Sequence, residues 1–329
     1  MALSIDTYET YRDDLSNGAA FVSAGTSGAS GSTYNAIKKG TATYAALLTQ
    51  LNNFDIDASG SGEVVGFHIV HGESDAWNGT SRDAYYEYLI EWQDDYDTDA
   101  KAVTGQTADV PAIFSQPWDA SMPTTSSEAM VLAHKLSPVH FLVGPRYFMP
   151  RSDGVHLTAA GYRLLGRYHA KAQRSILTTG DWSPLLPISI VRSGASVVAT
   201  FPTASELQWD TTTVAEQTNY GFSYTDTNGT AVIDSVSITA FDQVTINLAA
   251  APTGFGARLR YAANGNGQRG NLRNSDTLPD WCCHFVETVS VYTPPPEPPP
   301  TNPLVIRLAG EDRVVTSVRL GGFERTIAP

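Results

Sequence analysis

The feature that most constrains the fold of this chain is an alternation in its first half: a short apolar run, then a longer stretch of helical period. GAAFVSAG precedes YAALLTQLNNF, GEVVGFHIVHG precedes SRDAYYEYLIEWQDDY, VPAIFSQ precedes SEAMVLAHKLS, and VHFLVGP precedes HLTAAGYRLLGRYHAKAQRSIL. Runs that are apolar at consecutive positions are buried on both faces, as parallel strands joined by crossover helices are. Residues 1–182 are therefore predicted to form an α/β domain with a parallel sheet covered by helices.

From Ser183 the texture changes to Thr, Val, Ser and Ile in short alternating runs such as ISIVRSG, ASVVATFP, AVIDSVSITAF, QVTINLAA and ARLRYAAN. Gly, Asn and Pro separate them, and the pattern predicts a β-sandwich over 183–292. TPPPEPPPTNP, residues 293–303, is a stiff polyproline spacer, because ring-fixed φ angles and missing N–H donors exclude helix and central strand. The tail, 304–329, reads as two or three short strands. Too small to bury a core alone, it calls for a partner surface or a homotrimer.

Composition removes several classes of partner. With 21 Lys+Arg against 34 Asp+Glu the net charge is -13, which argues against a groove that tracks phosphates, so nucleic acid is not an expected partner. No window reaches the roughly 18 apolar residues of a membrane span, and MALSIDTYETYRDDL has neither the basic start nor the apolar core of a signal peptide. Neither membrane insertion nor export through a cleaved leader is expected. The two cysteines, Cys282 and Cys283, are adjacent, which strains any disulfide between them, and they read as reduced core residues. No HExxH and no Cys/His ligand spacing occurs, so neither a metal nor another cofactor is expected.

In open parallel sheets ligands gather outside the carboxyl ends of the strands, and three such ends carry chemistry. Behind GEVVGFHIV stands His71-Gly72-Glu73-Ser74-Asp75, a polar crowd presented to a crevice; an ordinary strand-to-helix turn with Asp75 or Ser81 as cap explains it equally well. Behind GAAFVSA stands Gly25 to Ser32. Its small residues free the backbone to aim N–H groups at an anion, although such runs are more often plain loops. Behind VHFLVGPRYFMPR stands Asp153-Gly154-Val155-His156-Leu157-Thr158. A carboxylate three residues before an imidazole supplies a base and the group that orients it; alternatively, Asp153 caps the helix that starts near Leu157.

Together and in this order, the three stretches resemble the SGNH/GDSL hydrolases, in particular the carbohydrate-esterase branch of sialate O-acetylesterases and acetylxylan esterases. His71-Gly72-Glu73-Ser74-Asp75 is similar to that branch's Gln-Gly-Glu-x-Asp motif. Asp153-Gly154-Val155-His156-Leu157-Thr158 with Gly161 is similar to its closing Asp-x-x-His-Leu-[Ser/Thr]-x-x-Gly, and Gly31 ahead of Lys39-Gly40 to its Gly block. The resemblance spans roughly residues 1–175 and implies a three-layer, flavodoxin-like fold. It also implies His156 as general base, Asp153 as its orienting acid, Gly31 N–H as an oxyanion donor and His71 as a second donor in place of Gln. Gly72, Glu73 and Asp75 would line the same oxyanion and substrate-binding site.

The sequence departs from the branch at the nucleophile. The Gly-[Asp/Gln]-Ser motif and the first strand that carries it have no counterpart ahead of Gly31, and Ser27 in Gly25-Thr26-Ser27 is only a weak candidate. The expectation is that the serine is supplied upstream of Met1 or by another chain, and that the sheet lacks its first strand. The Asn/Gly/Arg-rich stretch 261–276, followed by Trp281-Cys282-Cys283-His284-Phe285, resembles the accessory domain behind SGNH esterases in bacteriophage tail proteins. That stretch either lines a sugar-binding rim or closes the sandwich, with Trp281 in its core. By this resemblance the chain is a carbohydrate O-acetylesterase of a virion tail, acting on an acetylated surface glycan and assembled with other tail or baseplate proteins. The alternative is a catalytically inactive structural or glycan-binding tail subunit.

Overall fold

A computed structural model describes residues 27–57, 59–118, 122–263 and 269–292, and four short strands between 305 and 326. The apolar run GAAFVSAG and the segment before it lie outside the described residues. Among the described ones, β1 (Phe67–Ile69), β2 (Ala112–Gln116) and β3 (His140–Pro145) pair in parallel in that order. Around them run α1 (Tyr34–Ile37), α2 (Ala42–Asp57), α3 (Glu73–Trp77), α4 (Arg82–Thr104), α5 (Thr125–Leu136) and α6 (Ala159–Thr179).

Strand alternation sends neighbouring side chains to opposite helices. Phe67 stacks on Tyr96 of α4 at 4.3 Å, and His140 Nε2 donates to the carbonyl of Leu89 on the same helix. The next residue on β1, His68, points the other way and meets His169 and Gln173 of α6. Helices therefore cover both faces, and all five residues of β2 are buried, which is why the run reads as continuously apolar.

The second half is β-rich. Its strands are β4 (Ser189–Ser193), β5 (Ser196–Thr200), β6 (Leu207–Trp209), β7 (Phe222–Asp226), β8 (Gly229–Ala231), β9 (Ile233–Ala240), β10 (Gln243–Leu248), β11 (Arg258–Tyr261), β12 (Leu272–Asn274), β13 (Phe285–Thr288) and β14 (Ser290–Val291). One sheet has the order β14-β4-β5-β10-β9 and another β13-β11-β7-β8, while β12 pairs with β6; every pairing is antiparallel except β14 with β4. Alternate residues, among them Val197, Ala199, Val244, Ile246, Phe222, Tyr224, Leu259 and Tyr261, are buried in one hydrophobic cluster with the α/β core.

The segment 278–285 joins the two halves. Trp281 is buried and stacks flat on Phe148 at 4.6 Å, so of its two readings the core one describes it. Tyr147 donates to Cys282 O at 2.7 Å, Tyr168 to Pro279 O at 2.7 Å, and the Cys283 N–H to Leu185 O at 3.1 Å. Both cysteines are free and buried. At the end of β2 the Gln116 amide takes the His284 N–H at 2.8 Å and gives its own protons to His284 O at 3.0 Å and Ser127 O at 3.1 Å. Residues through Val291 thus form one compact unit.

A second unit runs from Tyr292 to Pro329. In it, β15 (Val305–Leu308) pairs with β16 (Glu311–Val314), and β17 (Ser317–Leu320) with β18 (Phe323–Thr326). The polyproline spacer lies outside the described residues. No helix among the described residues is long and apolar enough to cross a membrane.

Gln116→Leu keeps the side-chain shape and removes three buried hydrogen bonds, leaving the His284 N–H and carbonyl without the side-chain amide that serves them and Ser127 O with its helical bond only. Urea unfolding of the full chain is expected to show a loss of about 2–4 kcal/mol. A loss below about 1 kcal/mol would contradict the junction's importance.

Candidate active site

The site grows from the end of β3. After Pro145 the chain turns through 146–150, and Arg151 then bridges antiparallel to Leu157, with the Ser152 N–H on His156 O at 2.9 Å. Inside this loop one carboxylate does three things. Asp153 Oδ1 accepts the N–H groups of Val155 (2.8 Å) and His156 (2.6 Å), while Oδ2 faces His156 Nδ1 at 2.8 Å. The carboxylate is therefore used up within its own loop and does not cap the helix. That expectation is corrected: Thr158 is the N-cap of α6, its hydroxyl accepting the Gly161 N–H at 3.1 Å.

The rest of the DGVHLTAAGY run has equally local causes. Leu157 is buried and anchors the loop to the core. At Gly161 a Cβ would lie 2.3 Å from the carbonyl oxygen of Pro150, so only glycine lets α6 start this close to the preceding turn. Backbone N–H groups, that of His156 first, together with the imidazole hold the Asp153 carboxyl down at about 2, so it is ionised across the whole range in which an imidazole titrates. A carboxylate only accepts, so His156 carries its proton on Nδ1 when neutral. Its Nε2 has no hydrogen bond among the described residues, on a side chain that is 59% exposed.

That exposure singles His156 out. All seven histidines lie among the described residues, and the other six are buried or half-buried. Burial lowers the pKa of His68, His71, His134, His140, His169 and His284. They are neutral packing groups. His68, for example, donates from Nε2 to Gln173 Oε1 at 2.9 Å, which makes its Nδ1 the acceptor of the 3.0 Å bond to His169.

The HGESD stretch works as a bracket. His71 Nε2 lies 3.0 Å from Ser32 O, which can only accept, so this nitrogen carries the proton and Nδ1 accepts from Tyr85 Oη at 2.9 Å. Both ring nitrogens of the expected second oxyanion donor are thus engaged by the protein itself. Asp75, fully buried, takes the Tyr34 N–H at 2.9 Å. The two side chains together grip the Gly31 loop. Gly72, at φ 119°, sits against Pro117, Ser126 and Tyr85 and turns the chain from β1 into α3. Glu73 pairs with Arg146 at 2.8 Å, and Arg146 O in turn accepts from Arg151 at 2.6 Å. One motif therefore fastens the Gly31 loop on one side and the turn leading to His156 on the other.

Gly31 is exposed at φ 70°, a conformation that favours glycine, and its N–H has no partner among the described residues. Ser27 Oγ donates to Thr43 O at 2.9 Å. No hydrogen bond among the described residues joins Ser27 to His156.

No protein-family model matches the chain, and no curated protein matches it. Solved structures do. A carbohydrate acetylesterase from Xanthomonas citri superimposes with a TM-score of 0.52 at 17% identity, over 68% of this chain and 50% of that one. The two share a fold. The chain thus spans half the length of that acetylesterase. A protein from Arabidopsis thaliana matches over 51% of this chain and 66% of its own, at 20% identity and a TM-score of 0.39.

Sequence reasoning passed over the groups around Trp118. This indole is buried behind β2, and the guanidinium carbons of Arg151 and Arg269 each lie 4.3 Å from its ring centre. Arg151 and Trp118 both follow apolar strands, and Arg269 lies in the Asn/Gly/Arg stretch of the other half; nothing local to either stretch brings them together.

The buried histidines give a signed prediction. Each has a folded pKa below its unfolded value near 6.5, so the unfolded chain binds protons that the folded one refuses. Stability is expected to be highest above that value and to fall as pH drops below it, by up to about 1.4 kcal/mol per pH unit for each histidine. Urea midpoints measured between pH 7.5 and 5 check this, and a flat profile would contradict it.

Proposed function

We propose that this chain is the base-bearing part of a carbohydrate O-acetylesterase that works by Ser–His–Asp acyl transfer. The observation that carries the reading is His156, the one exposed histidine, held on Nδ1 by an ionised carboxylate, with no hydrogen bond on Nε2 among the described residues, at the carboxyl end of a parallel sheet. The fold shared with a carbohydrate acetylesterase supports it.

In this mechanism a serine hydroxyl attacks the acetyl carbonyl while Nε2 of His156 takes its proton, and Asp153 stabilises the imidazolium. The Gly31 N–H donates to the tetrahedral oxyanion. As the intermediate collapses, the imidazolium protonates the departing sugar oxygen; water then repeats the sequence on the acetyl-serine. The serine comes from outside the described residues or from another chain, since Ser27 is bound to Thr43. His71 contributes by holding the Gly31 loop rather than by donating to the oxyanion, so a second donor accompanies the nucleophile.

We place this activity in a bacteriophage tail, on an acetylated surface glycan, with the proline-rich spacer and the strand-rich tail serving assembly. A full-length preparation is expected to run as a trimer in sedimentation equilibrium, and a monomeric mass would argue against that role. A second reading has its own support: with Ser27 and the His71 ring both engaged internally, the chain suits an inactive glycan-binding or structural subunit.

In the native assembly, His156→Ala is expected to lower kcat on a chromogenic acetyl ester by at least about a thousandfold with KM little changed. Unchanged hydrolysis would overturn the esterase reading. Failure of a fluorophosphonate to label any serine in that assembly would favour the inactive one.

A further inference from the structure

The geometry points to Arg269 and Trp118 as positioning residues for the loop that carries Asp153 and His156, so that the β-rich part of the chain sets the dyad of the α/β domain. The inference rests on reading that dyad as the esterase's base and orienting acid.

Asp153 and His156 are both more than half exposed and are each other's side-chain partners. Their orientation relative to the protein is therefore transmitted through the loop that holds them. That loop closes at Arg151, whose backbone bridges to Leu157. Among its contacts, the Arg151 side chain bonds to Arg146 O at 2.6 Å and lies over the Trp118 ring. Trp118 is itself almost fully buried and carries a second guanidinium, that of Arg269, at the same 4.3 Å.

Arg269 issues from a backbone with little freedom. At Gly221 a Cβ would lie 2.8 Å from Arg269 O, and one at Gly270 would fall 2.0 Å from the hydroxyl of Tyr261. Immediately beyond, the Asn271 N–H bonds to Tyr220 O at 3.2 Å and the Leu272 N–H to Tyr261 Oη at 2.8 Å. A planar cation presented from so tight a frame is a fixed plate. It holds the indole in place, and the indole holds Arg151. Partial burial also pushes the Arg269 pKa down, as expected of a guanidinium removed from water and placed against a ring. The competing account is that the loop stands on its own bonds, Ser152 to His156 and Thr158 to Pro150, and that Arg269 only seals the junction.

The two accounts separate on the Asp153 carboxyl, which reports dyad geometry without requiring activity. In full-length protein its titration is followed by 13C NMR in wild type, Arg269→Ala and Arg269→Lys, alongside circular dichroism to confirm folding. The midpoint is expected to rise from about 2 in wild type toward the ordinary value of about 3.9 in Arg269→Ala. Arg269→Lys, which keeps the charge but loses the planar stack, falls between them. In the native assembly, kcat on the acetyl ester falls about tenfold in Arg269→Ala with KM unchanged. An unmoved midpoint in folded Arg269→Ala overturns the proposal; should that variant fail to fold, Arg269→Lys decides alone. If the midpoint moves but His156→Ala retains full activity, the positioning role stands and the esterase reading falls. If His156→Ala is inactive while the Arg269→Ala midpoint stays put, the reverse holds.

Discussion

At the end of β2 a single side-chain amide behaves as an extra length of strand. Gln116 receives the His284 N–H and donates to His284 O, so the β-rich half docks on the sheet through hydrogen bonds of backbone type made by one buried side chain. The turn that leads from β3 toward His156 is tied to the same β-rich segment. Tyr147 and Phe148, the residues that follow Arg146, are held by Cys282 O and the face of Trp281. A buried amide with every partner present is rigid, and one with a partner missing is costly, which makes this point a strong constraint on both halves.

The same economy governs the site. One carboxylate orders its loop, fixes the tautomer of the only exposed imidazole and stays ionised, all within four residues. The polar residues behind β1 do no visible chemistry of their own. They bind the Gly31 loop to α3 and α3 to the turn after β3, so that the Gly31 loop and the turn that leads to His156 are carried by one framework. The six other histidines hold neutral, buried or half-buried positions in the packing, which is why their number in the sequence says little about catalysis.

Much of this was legible in the sequence, for identifiable reasons. Strand and helix alternate because burial on two faces leaves an unbroken apolar run, and β1, β2 and β3 all fall inside such runs. The Asp153–His156 pair was visible because both partners sit on one short loop. The helix cap was misassigned because Asp153 and Thr158 both have side chains that accept N–H groups, and only the loop geometry decides which of them serves α6. The internal partners of His71, Ser32 O and Tyr85, could not be read from the sequence because they are distant in it. For the same reason the Arg151–Trp118–Arg269 stack, which spans both halves, left no local pattern to read.

On His156 the proton sits on Nδ1, and Nε2 has no hydrogen bond among the described residues. Nitrogen NMR of the 15N-histidine-labelled chain, at a pH where this ring is neutral, reads the tautomer directly. The account predicts a protonated Nδ1 and a bare Nε2 for His156, the form its contact with Asp153 requires. A proton found on Nε2 instead would mean that the carboxylate does not orient this ring, and the account of the site would fail.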